Sequence, residues 1–246
     1  MKNVHILELM KNYVELCITI AIPKEGNLMY NIEISNKPNK RDSGDKKYGI
    51  VGGTFDPIHI GHLFIGETAL EQLNLDKIFY IPTGNPPHKD QQKVTSSYHR
   101  LSMTSLAIKN NPGFVLSEIE INRTGLSYTV DTIYNMLDKY GENVELYFII
   151  GTDAFMEIET WKNYVALFNM IKIVVVTRIG FNNKGFQEKI QFYSREYNAE
   201  IIKMPIPILE ISSSDIRERI KRGKSIKYLV SESVEAYIKS NKLYES

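Results

Sequence analysis

The sequence predicts an α/β protein, a Rossmann-like doubly wound parallel sheet with helices on both faces. Three observations carry that prediction. From Tyr48 onward, short apolar runs alternate with longer segments of helical periodicity, the order that builds βαβ units. The runs at 144–150 and 171–177 are almost continuously apolar, as strands covered on both faces are. The first run, Tyr48-Gly-Ile-Val, ends on the pair Gly52-Gly53 ahead of a helix-like segment. Ligands of such sheets bind outside the carboxyl ends of the strands, where that pair stands.

Taken in order, residues 1–47 differ from the rest. Residues 1–22 alternate poorly and fit one short helix or strand. Residues 36–47 are polar, charged and broken by Pro38 and Gly44, the composition of a poorly ordered linker. The expected organisation is an N-terminal extension over 1–47, with Met29 as an alternative start, and one domain over 48–246. In that domain Thr54-Phe55-Asp56-Pro57 makes the turn after the first strand, and a helix follows through Leu63, Ala69, Leu70 and Leu73. Residues 77–83 read as a strand and 98–110 as a helix with Leu101, Met103, Leu106 and Ala107 inward. A strand is expected at 114–121, a helix at 128–140, a strand at 144–150 and a helix at 161–169. The strand at 171–177 is followed by a helix at 186–197, an extended stretch at 200–204 and helices at 213–221 and 231–240.

At 246 residues the chain buries a full core. Its net charge of +1 gives no global basic field for nucleic acid or an anionic membrane surface. A single cysteine excludes an intramolecular disulfide and fits a reducing compartment. No apolar run reaches bilayer length. The nearest thing to a signal core, 14–22, is interrupted by Glu15 and is followed by Pro23-Lys24-Glu25 without a small-residue cleavage site. The cytoplasm is the expected location.

The chemistry concentrates between Gly49 and Leu63. Gly52 and Gly53 lack Cβ atoms and let backbone N–H groups come close to a ligand, with Thr54 and Phe55 continuing the turn. His59 and His62 are three apart and share one face of the following helix's first turn. Free N–H groups and the positive end of the helix dipole lie there too, which suits a phosphate. Paired glycines alone are common in α/β proteins, and a His-x-x-His pair is also a fragment of a zinc site. Zinc takes three or four ligands, however, and Cys17, His5, His88 and His99 stand at no ligand spacing. No protein metal site is therefore expected. The whole string Gly-Gly-Thr-Phe-Asp-Pro-x-His-x-Gly-His-Leu is far more specific than its parts. It resembles the HxGH nucleotidyltransferases, and in this wording it is similar to the bacterial nicotinate-nucleotide adenylyltransferases.

A second string, Ile211-Ser-Ser-Ser-Asp-Ile-Arg217, reads by itself as a serine N-cap opening a helix. It also resembles that family's Ile-Ser-Ser-Thr-x-Ile-Arg motif, with Ser214 in place of the threonine and the hydroxyl kept. The resemblance implies that Ser212, Ser213 and Arg217 meet the phosphates of ATP. Arg219, two residues on, reads as a solvated charge. The two motifs stand in the family's order, about 150 residues apart.

The same resemblance assigns the acceptor side. The loop Pro82-Thr-Gly-Asn-Pro-Pro-His-Lys89 is similar to the one covering the mononucleotide, which implies roles for Thr83, Asn85, His88 and Lys89. Ser127-Tyr-Thr matches the segment that receives the nicotinate carboxylate and points to Thr129 and Val130. Gly151-Thr-Asp153 resembles a Gly-x-Asp that contacts nucleotide ribose, although Asp153 also reads as an N-cap. Trp161, the one tryptophan, reads as a ring stacked on the pyridine or as core, and Arg100 as an arginine beside the acceptor loop. The implied reaction moves AMP from ATP, carried with Mg²⁺, to nicotinate mononucleotide. His59, His62 and Arg217 would neutralise charge in a transfer that needs no protein nucleophile. Two other readings stand beside it. One is an adenylyltransferase for nicotinamide mononucleotide or phosphopantetheine, and the other a non-catalytic nucleotide-binding protein on the same fold.

Overall fold

The computed structural model of the chain describes residues 46–86, 94–141, 143–207 and 209–245. The extension at 1–47, except its last two residues, lies outside them, as do His88 and Lys89. Six strands form one parallel sheet: β1 (Lys46–Gly53), β2 (Lys77–Pro82), β3 (Phe114–Leu116), β4 (Val144–Gly151), β5 (Lys172–Arg178) and β6 (Ile201–Ile206). Their spatial order is β3-β2-β1-β4-β5-β6, the doubly wound order, whose switch point falls between β1 and β4. Lys46 and Lys47 pair with Val144 and Glu145 of β4, so the first strand starts inside the segment read as linker. Backbone pairing at the exposed amino end of a strand does not exclude lysine.

Alternation along the strands divides the core between the two faces of the sheet. The helices among the described residues are α1 (Ile60–Gln72), α2 (Ser97–Ile108), α3 (Thr129–Tyr140), α4 (Thr152–Met156), α5 (Tyr164–Met170), α6 (Lys184–Tyr197), α7 (Ser213–Lys221) and α8 (Glu232–Ser240). Ile50, Phe79, Phe148 and Ile173 meet Ile133 and Met136 of α3, Leu167 of α5, and Phe186 and Tyr193 of α6. Val51, Ile78, Ile149 and Val174 meet Ala69 of α1, Met103 of α2, Ile216 of α7 and Val234 of α8 on the other face. Each fully buried aliphatic or aromatic side chain here contributes about 1.5–3 kcal/mol. The predicted sheet, covered on both faces, is what forms.

One contact sets the position of α1. A Cβ on Gly66 would stand 2.1 Å from the Tyr80 hydroxyl, so a glycine is required where the helix crosses β2. The Tyr80 hydroxyl donates to the His62 carbonyl at 3.1 Å. The helix that carries His62 is thereby tied to the sheet beneath it.

Three local expectations change. β3 stops at Leu116, because β2 ends at Pro82, which has no N–H to extend the ladder. The chain then turns, with Asn122 N–H donating to the Glu118 carbonyl at 2.9 Å. The helix expected from residue 161 begins at Tyr164; Trp161 is extended (φ −80°, ψ 141°) after a single 3-10 turn, Ile158–Thr160. The N-cap of α4 is Gly151, and Asp153 lies in its first turn.

Candidate active site

At the switch point, the carboxyl ends of β1 and β4 open into a cavity of about 380 Å³. Of the residues named from sequence, Gly52, Gly53, Thr54, His62, Thr83, Thr129, Gly151 and Trp161 line it. Three polar residues not assigned a role from sequence join them: Ser127 and Thr132, which flank the segment pointing to Thr129 and Val130, and Glu120, which has no sequence signal. A wider hollow of about 750 Å³ lies alongside, lined by Asp153 and Ser212 together with Thr177, Ile206 and Ile211. The two hollows share Ile65 and Val176.

His62 is held in one orientation and one tautomer. Its Nδ1 accepts from the His59 backbone N–H at 3.2 Å, which places the ring proton on Nε2. The His59 ring stacks on it at 3.7 Å between centroids, and Phe55 meets it edge-on at 5.0 Å. Burial, and then the neighbouring His59, holds the His62 pKa well below its usual value. Burial brings His59 down to about 4. At neutral pH both rings are therefore uncharged, and His62 offers a phosphate an N–H donor rather than a fixed cation. His59 lines neither hollow; as the N-cap of α1 it supports His62 with its ring and its N–H.

Those depressed pKa values set a pH dependence of stability. In the unfolded chain the histidines take up protons near 6.5, whereas the folded chain resists protonation until about pH 4 at His59. Their contribution is complete above pH 6.5 and is lost as pH falls toward 4. Glu120, whose pKa burial raises, acts in the opposite direction. The histidine part is therefore read as a difference between variants. The urea midpoint of the wild type, without nucleotide, is expected to fall more steeply from pH 6.5 to 4 than that of His59→Gln. Parallel curves would show that His59 is not buried as a neutral base.

The turn ahead of α1 is clamped from several directions. Phe55 sits in the left-handed region at φ 50°, with its ring buried. The Asp56 carboxylate accepts from Thr95 N–H at 3.2 Å and from the Tyr244 hydroxyl at 2.7 Å. Arg100 is 2 % exposed and donates to the carbonyls of Thr95, Thr54, Thr83 and Gly84. Arg100 is thus not a wall of the acceptor cavity. Burial against four carbonyls makes it the pin between the turn after β1 and the loop after β2. Ser213 and Arg217 also face this turn rather than either hollow. The Ser213 hydroxyl donates to the Pro57 carbonyl at 2.9 Å, and Arg217 Nη1 to the Asp56 carbonyl at 2.7 Å. Ser212 is the N-cap of α7, its Oγ accepting from Asp215 N–H at 3.1 Å.

The acceptor side is assembled from two segments that pair with each other. Asn85 N–H donates to Ser127 Oγ at 3.1 Å, and Ser127 N–H to the Asn85 carbonyl at 2.9 Å. Asn85 lines neither hollow. Directly after this pairing α3 begins, with Tyr128 as an N-cap that supplies no side-chain acceptor. The Val130 side chain is buried in the core, so the group it can present is its backbone N–H. Trp161 stands edge-on to Phe148 at 5.9 Å and packs on the core while lining the cavity. Its stacking and packing readings share one position. Among the described residues no three His, Cys, Asp or Glu side chains come together as a metal site.

The chain is similar to proteins of known family. Residues 50–219 match the cytidylyltransferase-like family. A probable nicotinate-nucleotide adenylyltransferase of Thermoanaerobacter sp. (strain X514) is 48% identical over 199 residues, 81% of this chain and 94% of that protein. Its counterpart in Clostridium botulinum (strain Eklund 17B / Type B) is 43% identical over 200 residues, 81% of this chain and 98% of its own. Among solved structures, Plasmodium falciparum nicotinic acid mononucleotide adenylyltransferase complexed with NaAD superposes with a TM-score of 0.67 at 22% identity, covering 81% of this chain and 98% of that one. The structural likeness is one of fold.

Proposed function

The chain belongs to the cytidylyltransferase-like family and, within it, to the nicotinate-nucleotide adenylyltransferases, and from that premise we propose that it transfers AMP from ATP to nicotinate mononucleotide. The products are nicotinate adenine dinucleotide and pyrophosphate, a step of NAD synthesis. The observation that carries the proposal is the pair of adjoining hollows. One runs from the glycine turn and His62 to the start of α3, and the other passes Asp153 to the start of α7. Two nucleotides fit such a site, the acceptor in the first and ATP reaching from the second.

In the reaction an oxygen of the acceptor's 5′-phosphate attacks the α-phosphorus of ATP. A new P–O bond forms as the bond to the β-phosphate oxygen breaks, and pyrophosphate leaves with the electron pair. The chain supplies position and donors. His62 Nε2–H and the backbone of Gly52 and Gly53 face the transferring phosphate, and Gly151 and Asp153 face ATP ribose. Arg217 uses Nη1 and Nη2 in its present bonds, which leaves further N–H donors of the guanidinium for the leaving pyrophosphate. Of the two serines, Ser212 keeps its hydroxyl proton for a phosphate, because Ser213 spends its own on Pro57. Mg²⁺ enters as part of the ATP complex and offsets charge on the phosphates. No helix among the described residues is long and apolar enough to cross a membrane. The proposed location, the cytoplasm, rests on the single cysteine, which fits a reducing compartment.

Pyrophosphate release from ATP and Mg²⁺ on adding nicotinate mononucleotide tests the proposal. Turnover is expected with the wild-type chain. Silence from protein that still binds ATP would favour a binding role or another acceptor.

A further inference from the structure

Glu120 belongs to no motif, yet three segments of the acceptor side converge on it. Its Oε1 accepts from the Thr132 hydroxyl of α3 at 2.7 Å. The Ser127 hydroxyl and the Gly84 N–H also face this carboxyl and favour its charged form, against the larger, opposing effect of burial. Neither closes a hydrogen bond to Oε2, which is buried without a partner. The backbone is as tight: a Cβ on Gly84 would stand 2.2 Å from the Glu120 carbonyl oxygen. Beside this group lies Arg123, whose Nη2 donates to Thr132 Oγ1 at 3.3 Å and to the Tyr128 carbonyl at 3.5 Å. Its Nε and Nη1 are buried without hydrogen bonds.

We propose that Glu120 is the positioning residue of the acceptor half-site, tying the loop after β2 to the start of α3 so that Thr83 and Thr129 present their backbone at a fixed separation. The inference rests on the acceptor reading given above. Glu120, Thr83 and Thr129 line one cavity, and the Asn85–Ser127 pairing lies next to them, with the Ser127 hydroxyl facing this carboxyl. Buried polar groups that are satisfied on one side only, here Oε2 and two guanidinium nitrogens, sit where a precise geometry is held at a cost in stability. In the reading above, ATP reaches from the second hollow, which Glu120 does not line. Loosening Glu120 therefore acts on the acceptor and spares the nucleotide triphosphate.

The test compares Glu120→Gln, Glu120→Ala and Thr132→Val with the wild type. Acceptor KM, ATP KM and kcat are measured, together with amide hydrogen exchange at Asn85 and Ser127. Glu120→Ala is expected to raise acceptor KM about tenfold, the scale of one lost buried hydrogen bond with its partner left unpaired, with ATP KM within about twofold. Thr132→Val should follow in the same direction by a smaller factor. Glu120→Gln, which keeps an oxygen for Thr132, should recover much of the loss. Exchange at Asn85 and Ser127 should quicken in the alanine variant. Unchanged acceptor KM and exchange would overturn the inference, and so would an equal rise in both KM values, which marks a general structural role. Should the wild type prove silent with nicotinate mononucleotide, the acceptor reading falls. The exchange experiment then still decides whether Glu120 ties the two segments.

Discussion

His62→Ala is expected to lower kcat by roughly 10²- to 10³-fold, the scale of removing one preorganised donor from a developing oxyanion, while ATP KM changes far less. The expectation follows from how much structure is committed to this ring. His59 N–H fixes its tautomer, the His59 ring stacks on it and Phe55 abuts its edge. The Tyr80 hydroxyl ties its backbone to the sheet. A donor so held needs no reorganisation when charge builds on the transferring phosphate. Because burial keeps the ring uncharged, the effect belongs to a hydrogen bond rather than to a resident cation. His62→Gln, a neutral side chain that can still donate, should therefore retain more turnover than His62→Ala. Equal loss in both would point to a cationic imidazole formed on phosphate binding. Near-full turnover in the alanine variant would remove His62 from the chemistry altogether.

What the sequence makes legible is local. β4 and β5 are buried on both faces and so read as apolar runs. β6 is harder to bound because Lys203 and Pro205 are exposed, and its strand extends to Ile206 beyond the stretch read from pattern. The glycine turn and His62 stand within one short string, and their cavity position follows from the strand that ends there. Groups whose role depends on distant partners cannot be read this way. Arg100 looks like a free guanidinium until Thr54 and Thr83, 46 and 17 residues away, take up its donors. Asp56 reads as part of a turn, but Tyr244, 188 residues on, holds its carboxylate. Glu120 has no pattern at all, because its importance lies in what the turn after β3 brings to it. The serine string shows the two levels together. Ser212 caps α7 as its type predicts, while the contact of Ser213 with Pro57 depends on where α7 docks.

Nicotinate mononucleotide is expected to exceed nicotinamide mononucleotide in kcat/KM by roughly 10²-fold or more, since a site made of donors rejects a group that must turn a donor toward it. The first backbone N–H groups of α3 have no intrahelical acceptors, and Tyr128 gives them no side-chain cap. Thr129 lines the cavity, and burial of the Val130 side chain keeps the adjacent N–H in place. Asp131, the acidic residue of that first turn, pairs with Lys162 at 3.2 Å and so is drawn away from competing for the donors. The helix dipole adds a modest preference for negative charge, about 0.3–1 kcal/mol. A nicotinate carboxylate offers an acceptor to each of these N–H groups, whereas an amide that accepts from one of them turns its NH₂ donors toward the other. Glu120, on the same wall, would repel the acid if fully charged and isolated. Arg123 lies beside it, and burial pushes it toward its neutral form. Rates of pyrophosphate release with the two acceptors decide the matter. Equal rates would leave the adenylyl transfer intact but show that the start of α3 does not read the pyridine substituent.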